Sequence, residues 1–185
     1  MSVEIIPNFA TAEECRDIIS AFNRLGPARA TRKVEHRIEI SGIALAGSRL
    51  HAVRERIIER RGEHPDWTLV TAMSEGDSHD LHADAEKLEG DEWVPNHTHW
   101  HTGVALVYLN SYARDYTGGI LCLPQLNLEL APKQGMLVSF PAGRLYTHEV
   151  SKVLTGVRYT IAVWMTETPE RYEQWPIRAR ELAHA

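Results

Sequence analysis

Apolar residues recur along this chain in two periods, and the change from one to the other divides it. Val3 to Ile6 is a short β-branched run that predicts a strand. Thr11-Ala12-Glu13-Glu14 then matches a capping box, in which the threonine and the glutamate satisfy each other's free backbone donors. Cys15, Ile18, Ile19 and Phe22 come next at helical spacing, and Gly26-Pro27 supplies the stop. A second helical pattern runs through Leu50, Val53, Ile57 and Ile58 and ends near Gly62. From Trp67 onward the pattern is one of short strands: Trp67–Met73, Val104–Leu109, Ile120–Leu123, Leu126–Leu130, Met136–Phe140 and Tyr159–Met165. Gly118-Gly119, Pro132-Lys133-Gln134-Gly135, Pro141-Ala142-Gly143 and Thr155-Gly156 mark turns between them. Many short strands at close spacing predict a β-sandwich or barrel, of which the jelly roll is one form.

The expected fold is therefore mainly β with flanking helices. One domain is expected over residues 1–185, divided into an N-terminal strand with support helices (1–65), a β core (66–168) and a charged, helical tail (169–185). Composition alters this little: 43% apolar and 24% charged residues are ordinary for a globular chain. A net charge of -5, with lysine and arginine scattered, gives no basic stripe and no expectation of a nucleic-acid partner. Cys15 and Cys122 are too few and too far apart for a disulfide framework. No apolar run reaches membrane-spanning length and the start lacks a signal-peptide core, so the expected location is cytoplasmic. Nothing in the sequence sets the oligomeric state.

Histidines carry the chemistry. His82-Ala83-Asp84 sets an imidazole and a carboxylate two residues apart, and on a strand such residues share a face. His148, after a strand and a turn, is the best third ligand. Two histidines and one carboxylate leave half an octahedron free, which suits non-haem iron(II) with a cosubstrate and dioxygen. A His-X-Asp alone occurs often by chance; the residues downstream give it weight. Arg158 and Thr160 share a strand face, and a guanidinium fork with a hydroxyl suits the distal carboxylate of a dicarboxylic cosubstrate. The apolar neighbours Ile161, Ala162 and Val163 argue against Arg158 being a surface residue. His97, His99 and His101 alternate, but Pro95-Asn96 before them reads as a loop. They are expected to be exposed or substrate-facing, His101 being the best substrate contact. His79 falls on the opposite strand face from His82 and is not expected to be an iron ligand.

With these residues in view the chain resembles the prolyl hydroxylase branch of the iron(II)- and 2-oxoglutarate-dependent oxygenases. The likeness runs in order through His82-Ala83-Asp84, Tyr108-Leu109-Asn110, Gly118-Gly119-Ile120-Leu121, Pro132-Lys133-Gln134-Gly135, His148-Glu149-Val150, Gly156-Val157-Arg158-Tyr159 and Trp164. The His-Ala-Asp start and the Gly-X-Arg…Trp ending are closest to leprecan-type prolyl 3-hydroxylases. The resemblance implies a double-stranded β-helix with iron(II) at one mouth and 2-oxoglutarate and dioxygen as cosubstrates. It implies that Arg158 and Tyr108 bind the distal carboxylate, that Leu121 lines the cosubstrate pocket and that Trp164 packs near the metal. Val104, Leu106 and Tyr108 share a strand face, an apolar wall with one hydroxyl; as single residues Tyr108, Leu121 and Trp164 read equally well as core.

Two departures bear on substrate. Met73 and His79 stand where the family usually has tyrosines bordering the cosubstrate or substrate space, which weakens the extension to proline. Asp84 is retained, which favours hydroxylation over halogenation. The short chain shows no evident peptide-binding appendage. The expected activity is hydroxylation of a C–H bond in a free amino acid or small metabolite, with release of succinate and carbon dioxide. The alternative is a peptidyl-prolyl hydroxylase. A non-catalytic barrel or a cupin-like metal enzyme without 2-oxoglutarate is the remaining rival, and neither needs a carboxylate anchor at Arg158.

Overall fold

The structure is a computed structural model that describes residues 2–34 and 37–175. In chain order it runs β1 (Glu4–Ile6), α1 (Ala12–Leu25), β2 (Arg32–Val34), β3 (Arg37–Ser41), α2 (Leu50–Arg61), β4 (His64–Ser74) and β5 (His79–His82). It continues with β6 (Glu86–Glu89), β7 (Glu92–Pro95), β8 (His101–Tyr108), β9 (Tyr116–Gly118), β10 (Leu121–Leu123), β11 (Leu128–Leu130), β12 (Leu137–Pro141), β13 (His148–Val150) and β14 (Val153–Thr166).

Both helices lie where their apolar spacing puts them. Thr11 Oγ1 accepts from the Glu14 N–H at 3.1 Å while Glu14 accepts from the Thr11 N–H at 2.8 Å, closing the capping box. α2 ends on Gly62 in the left-handed conformation. Three expectations need correction. Leu126 belongs to a short 3-10 turn, Pro124–Leu126, so the strand begins only at Leu128. The hairpin of β2 and β3 was not foreseen. Pro169–Arg171 is a single 3-10 turn and the chain to Trp175 is irregular; the helix expected over the rest of the tail lies outside the described residues.

The strands form a jelly roll. One sheet has the order β1-β12-β8-β14-β4-β3-β2, with β9 attached to β14; the facing sheet has the order β11-β10-β13-β5. β6 and β7 make a separate hairpin. Alternation along the large sheet fixes what each face does. Ala105, Val107, Leu109, Ile161, Val163 and Val70 pack outward against Cys15, Ile18, Phe22, Leu50, Val53 and Ile57 of the helices. Val104, Leu106, Tyr108 and Ala162 point inward, toward Leu121, Leu123 and Val150 of the small sheet. β8 and β14 are thus covered on both faces, which is why they read as continuous apolar runs. The apolar burial that docks the helices is what fixes the large sheet as a platform for the inward face. Among the described residues no helix is long and apolar enough to cross a membrane.

Candidate active site

His82 closes β5 and His148 opens β13, and the two are direct cross-strand partners. Their rings lie 4.3 Å apart between centroids. Asp84 comes two residues after β5, and ligand atoms of His82, Asp84 and His148 all fall within 4.8 Å of one another. Among the described residues this is the group of histidines, cysteines and carboxylates that can hold a metal ion.

Each ligand is oriented by a second contact. His82 Nδ1 lies 2.7 Å from the Asp80 carbonyl and His148 Nδ1 3.1 Å from the Tyr146 carbonyl. A carbonyl only accepts, so both rings carry their proton on Nδ1 and offer a bare Nε2 to a metal. Trp164 Nε1 donates to Asp84 Oδ1 at 3.0 Å, which leaves Asp84 Oδ2 buried and without a partner. The Asp84 backbone carbonyl accepts from Asn96 Nδ2 at 3.0 Å and from Thr98 Oγ1 at 2.7 Å, so the end of the β6–β7 hairpin clamps the ligand loop. Burial holds His148 below the usual imidazole range, opposed by the Asp84 carboxylate, and so the ring is neutral and ready to bind.

Across the pocket, β14 projects Arg158, Thr160, Ala162 and Trp164 inward, and all four share its lining with the three ligands, Leu106 and Leu121. Arg158 is 3% exposed and its Nη1 donates to the Met73 sulfur at 3.4 Å. Its Nε and the Thr160 hydroxyl are buried with no partner. Buried polar groups left open in this way call for an acceptor from outside the chain, and a carboxylate fits the fork and hydroxyl. Tyr108 lies beneath, with the guanidinium 5.0 Å above its ring centroid. Tyr108 is fully buried, and Tyr116, which sequence reasoning missed, is nearly so. Burial raises both phenols, Tyr116 to about 12, against the pull of Arg158. Both therefore stay protonated as donors. Gly119 lets the chain pass close over this anchor, because a Cβ there would sit 2.9 Å from Arg158 Cδ.

The remaining predicted residues divide. Met73 and His79 both line the pocket. His79 was expected on the far face of its strand, but its ring meets the His82 ring at 4.4 Å between centroids. The register explains this: His148 pairs with His82 but Val150 pairs with His79, so β5 carries one extra residue in a bulge, and a bulge re-aims a side chain. Burial, then the nearby His82 and Arg37, lowers His79 to about 3, so it is neutral. His101 is not brought to the pocket. Its Nε2 lies 2.8 Å from Asp66 Oδ2, and its ring stacks behind Trp164 at 6.3 Å. His97 and His99 are exposed and belong to no metal group among the described residues. Arg37, Glu39 and Thr71 also line the pocket, and no motif had pointed to them.

Comparison with known proteins agrees with this geometry. Residues 68–166 match the model of the 2OG-Fe(II) oxygenase superfamily. Prolyl 3-hydroxylase 3 of Mus musculus is 36% identical over 115 residues, a match that takes in 57% of this chain and 15% of that protein. Among solved structures, the viral collagen prolyl hydroxylase of Paramecium Bursaria Chlorella virus-1, in its 2OG complex, has a TM-score of 0.68 at 18% identity, covering 91% of this chain and 97% of that one. A prolyl hydroxylase from Trichoplax adhaerens, in complex with a hypoxia inducible factor peptide fragment, has a TM-score of 0.67 at 19% identity, covering 92% and 86%. At such identities the structures speak for the fold, whereas the family match, over residues 68–166, takes in His82, Asp84, His148 and Arg158. The chain belongs to the 2OG-Fe(II) oxygenase superfamily.

Proposed function

We propose that the chain is an iron(II)- and 2-oxoglutarate-dependent hydroxylase whose substrate is a residue of a peptide or protein, with prolyl residues the first to test. The observation that carries the enzymatic part is the pairing of a three-ligand metal group with an unsatisfied arginine and hydroxyl across one pocket. His82, Asp84 and His148 would hold iron(II) on one side and leave the other side open. Arg158 and Thr160, with Tyr108 beneath, would take the distal carboxylate of 2-oxoglutarate. When bound, iron(II) and 2-oxoglutarate supply with dioxygen the oxidising power for C–H hydroxylation, releasing succinate and carbon dioxide. Leu106, Leu121 and Met73 keep water from the space between the metal and the anchor.

Support for a peptide comes from the prolyl 3-hydroxylase relative and from the peptide complex among the structures of this fold. The metal edge of the site is also its open edge: the His82 side chain is 31% exposed, and Trp67, packed on Trp164 at 5.7 Å, is 41% exposed. A chain laid over such an apolar rim can reach a side chain inward. A second reading, a free amino acid or small metabolite, is favoured by Met73 and His79 at positions where tyrosines are usual in the family. Incubation with iron(II), 2-oxoglutarate and air, on panels of peptides and of amino acids, decides between them. Peptide-dependent succinate and a peptide heavier by one oxygen atom are expected. Succinate that depends only on free amino acids would replace the first reading with the second, and none on either panel would overturn both.

A further inference from the structure

Tyr116 brings a further donor to the carboxylate anchor. Gly156, Arg158 and Thr160 alternate along β14 and so share its inward face. Tyr116 on β9 pairs with Gly156, and Tyr108 on β8 pairs with Thr160. Each tyrosine is thus a diagonal neighbour of Arg158, a separation that an aromatic side chain spans. Two phenols from two different strands flank one guanidinium. Glycine makes the second approach possible. Gly156 presents no side chain opposite Tyr116, and a Cβ there would lie 3.0 Å from Tyr116 Cα. A Cβ on Gly119 would meet both partners, at 3.3 Å from Tyr116 Cε2 and 2.9 Å from Arg158 Cδ. The tyrosine ring and the arginine stem therefore come together under that glycine.

The Tyr116 hydroxyl is not used by the fold. The residue is 2% exposed, and among the described residues its hydroxyl has no hydrogen-bond partner. The group that acts on it most strongly is Arg158, but a guanidinium has only donors and cannot receive the phenol's proton. Burial keeps that proton in place, with the group pushed up to about 12. Arg158 Nε and the hydroxyls of Thr160 and Tyr108 are buried and open in the same way. Buried polar groups without a partner are rare and costly. Four of them around one cation make a place for an anion. An ionised carboxylate only accepts, and its two oxygens offer about four lone-pair sites. One carboxylate can therefore answer all of these donors.

We propose that the Tyr116 hydroxyl donates directly to the distal carboxylate of 2-oxoglutarate, as a binding residue of the anchor beside Arg158, Thr160 and Tyr108. This rests on the oxygenase reading of the pocket and adds to it a residue that no sequence motif had marked. The carboxylate is then held from both sides of the guanidinium, by one phenol from β8 and another from β9. A 2-oxo acid without a distal carboxylate forfeits every one of these contacts.

Tyr116→Phe removes the hydroxyl and keeps the ring, and the full chain is tested without turnover. The hydroxyl gives up no bond within the protein, so the urea midpoint of the metal-free variant should stay at or above that of wild type. Iron(II)-loaded protein is then titrated anaerobically with 2-oxoglutarate and followed by its visible charge-transfer band. The Kd should rise by about tenfold or more, the effect of losing one charge-assisted hydrogen bond. 2-Oxopentanoate, which has the same carbon chain with a methyl in place of the distal carboxylate, should bind wild type and variant equally weakly. A lower urea midpoint would mean that the hydroxyl is bonded inside the folded chain, to a residue or a trapped water, and overturns the proposal. An unchanged 2-oxoglutarate Kd overturns it too. So does equal weakening of 2-oxopentanoate, which marks a reshaped pocket and not a lost donor. No band with wild-type protein defeats the oxygenase reading and the role of Tyr116 with it. A normal band whose dependence on 2-oxoglutarate survives Tyr116→Phe unchanged defeats the role of Tyr116 alone.

Discussion

Trp164→Phe isolates one hydrogen bond in the metal site. The indole donates to Asp84 Oδ1 at 3.0 Å, which fixes the carboxylate and leaves Oδ2 buried without a partner. Phenylalanine keeps a ring against Trp67 and His101, which pack on Trp164 at 5.7 Å and 6.3 Å between centroids. It removes the donor. The Asp84 side chain is only 7% exposed, so water replaces the lost donor poorly. A hydrogen bond to a charged group contributes about 1.5–3 kcal/mol. Loss of an outer partner of a metal ligand typically costs about 10–100-fold in affinity, or about 1.4–2.8 kcal/mol. The two estimates agree, so iron(II) should bind Trp164→Phe about 10–100-fold more weakly. Anaerobic titration of apo-protein with iron(II) against a fluorescent chelator measures this, at a temperature where circular dichroism shows the variant folded. An affinity within about threefold of wild type, well short of the outer-partner range, would refute the idea that Trp164 orients Asp84.

The same geometry sets further outcomes. Arg158→Lys keeps the charge but loses the fork, so the 2-oxoglutarate Kd should rise by about tenfold or more while iron(II) affinity holds, as read by parallel titrations. Gly156 sits at φ +75°, and a Cβ would lie 2.3 Å from the Asp115 carbonyl oxygen. Gly156→Ala should therefore lower urea stability by about 1–3 kcal/mol. Thr11→Ala breaks the capping box and should cost about 1 kcal/mol in the same assay. pH supplies the last prediction. His79 and His148 are depressed below the ordinary imidazole value in the folded state. The unfolded chain then binds more protons, so metal-free stability should be full above about pH 6.5 and fall as pH drops below it. For His79 the loss extends down to about 3. Denaturant midpoints of metal-free protein that stay flat from neutral pH to mildly acidic pH would contradict this.

Legibility in the sequence tracked the strength of local patterning. β8 and β14 are covered on both faces, so their apolar runs were plain, and the capping box announced α1. The metal group was legible because His82 and Asp84 are close in sequence and His148 comes after a turn. Arg37 and Glu39 were not, since a strand that turns charges toward a pocket reads as a polar linker until its partner β4 is known. The clamp from Asn96 and Thr98 was hidden for a similar reason: the β6–β7 hairpin is largely polar and packs by hydrogen bonds. His101 was misplaced because its partner, Asp66, is 35 residues away. His79 was misplaced because strict alternation takes no account of a bulge.

The central claim is that one pocket holds both iron(II), through His82, Asp84 and His148, and 2-oxoglutarate, through Arg158. Anaerobic addition of iron(II) and 2-oxoglutarate to the apo-protein tests it through the visible charge-transfer band of the chelated cosubstrate. The account predicts the band in wild type, its loss in His82→Ala, and a requirement for much higher 2-oxoglutarate in Arg158→Ala. No band in wild type, or an unchanged band in both variants, would contradict it.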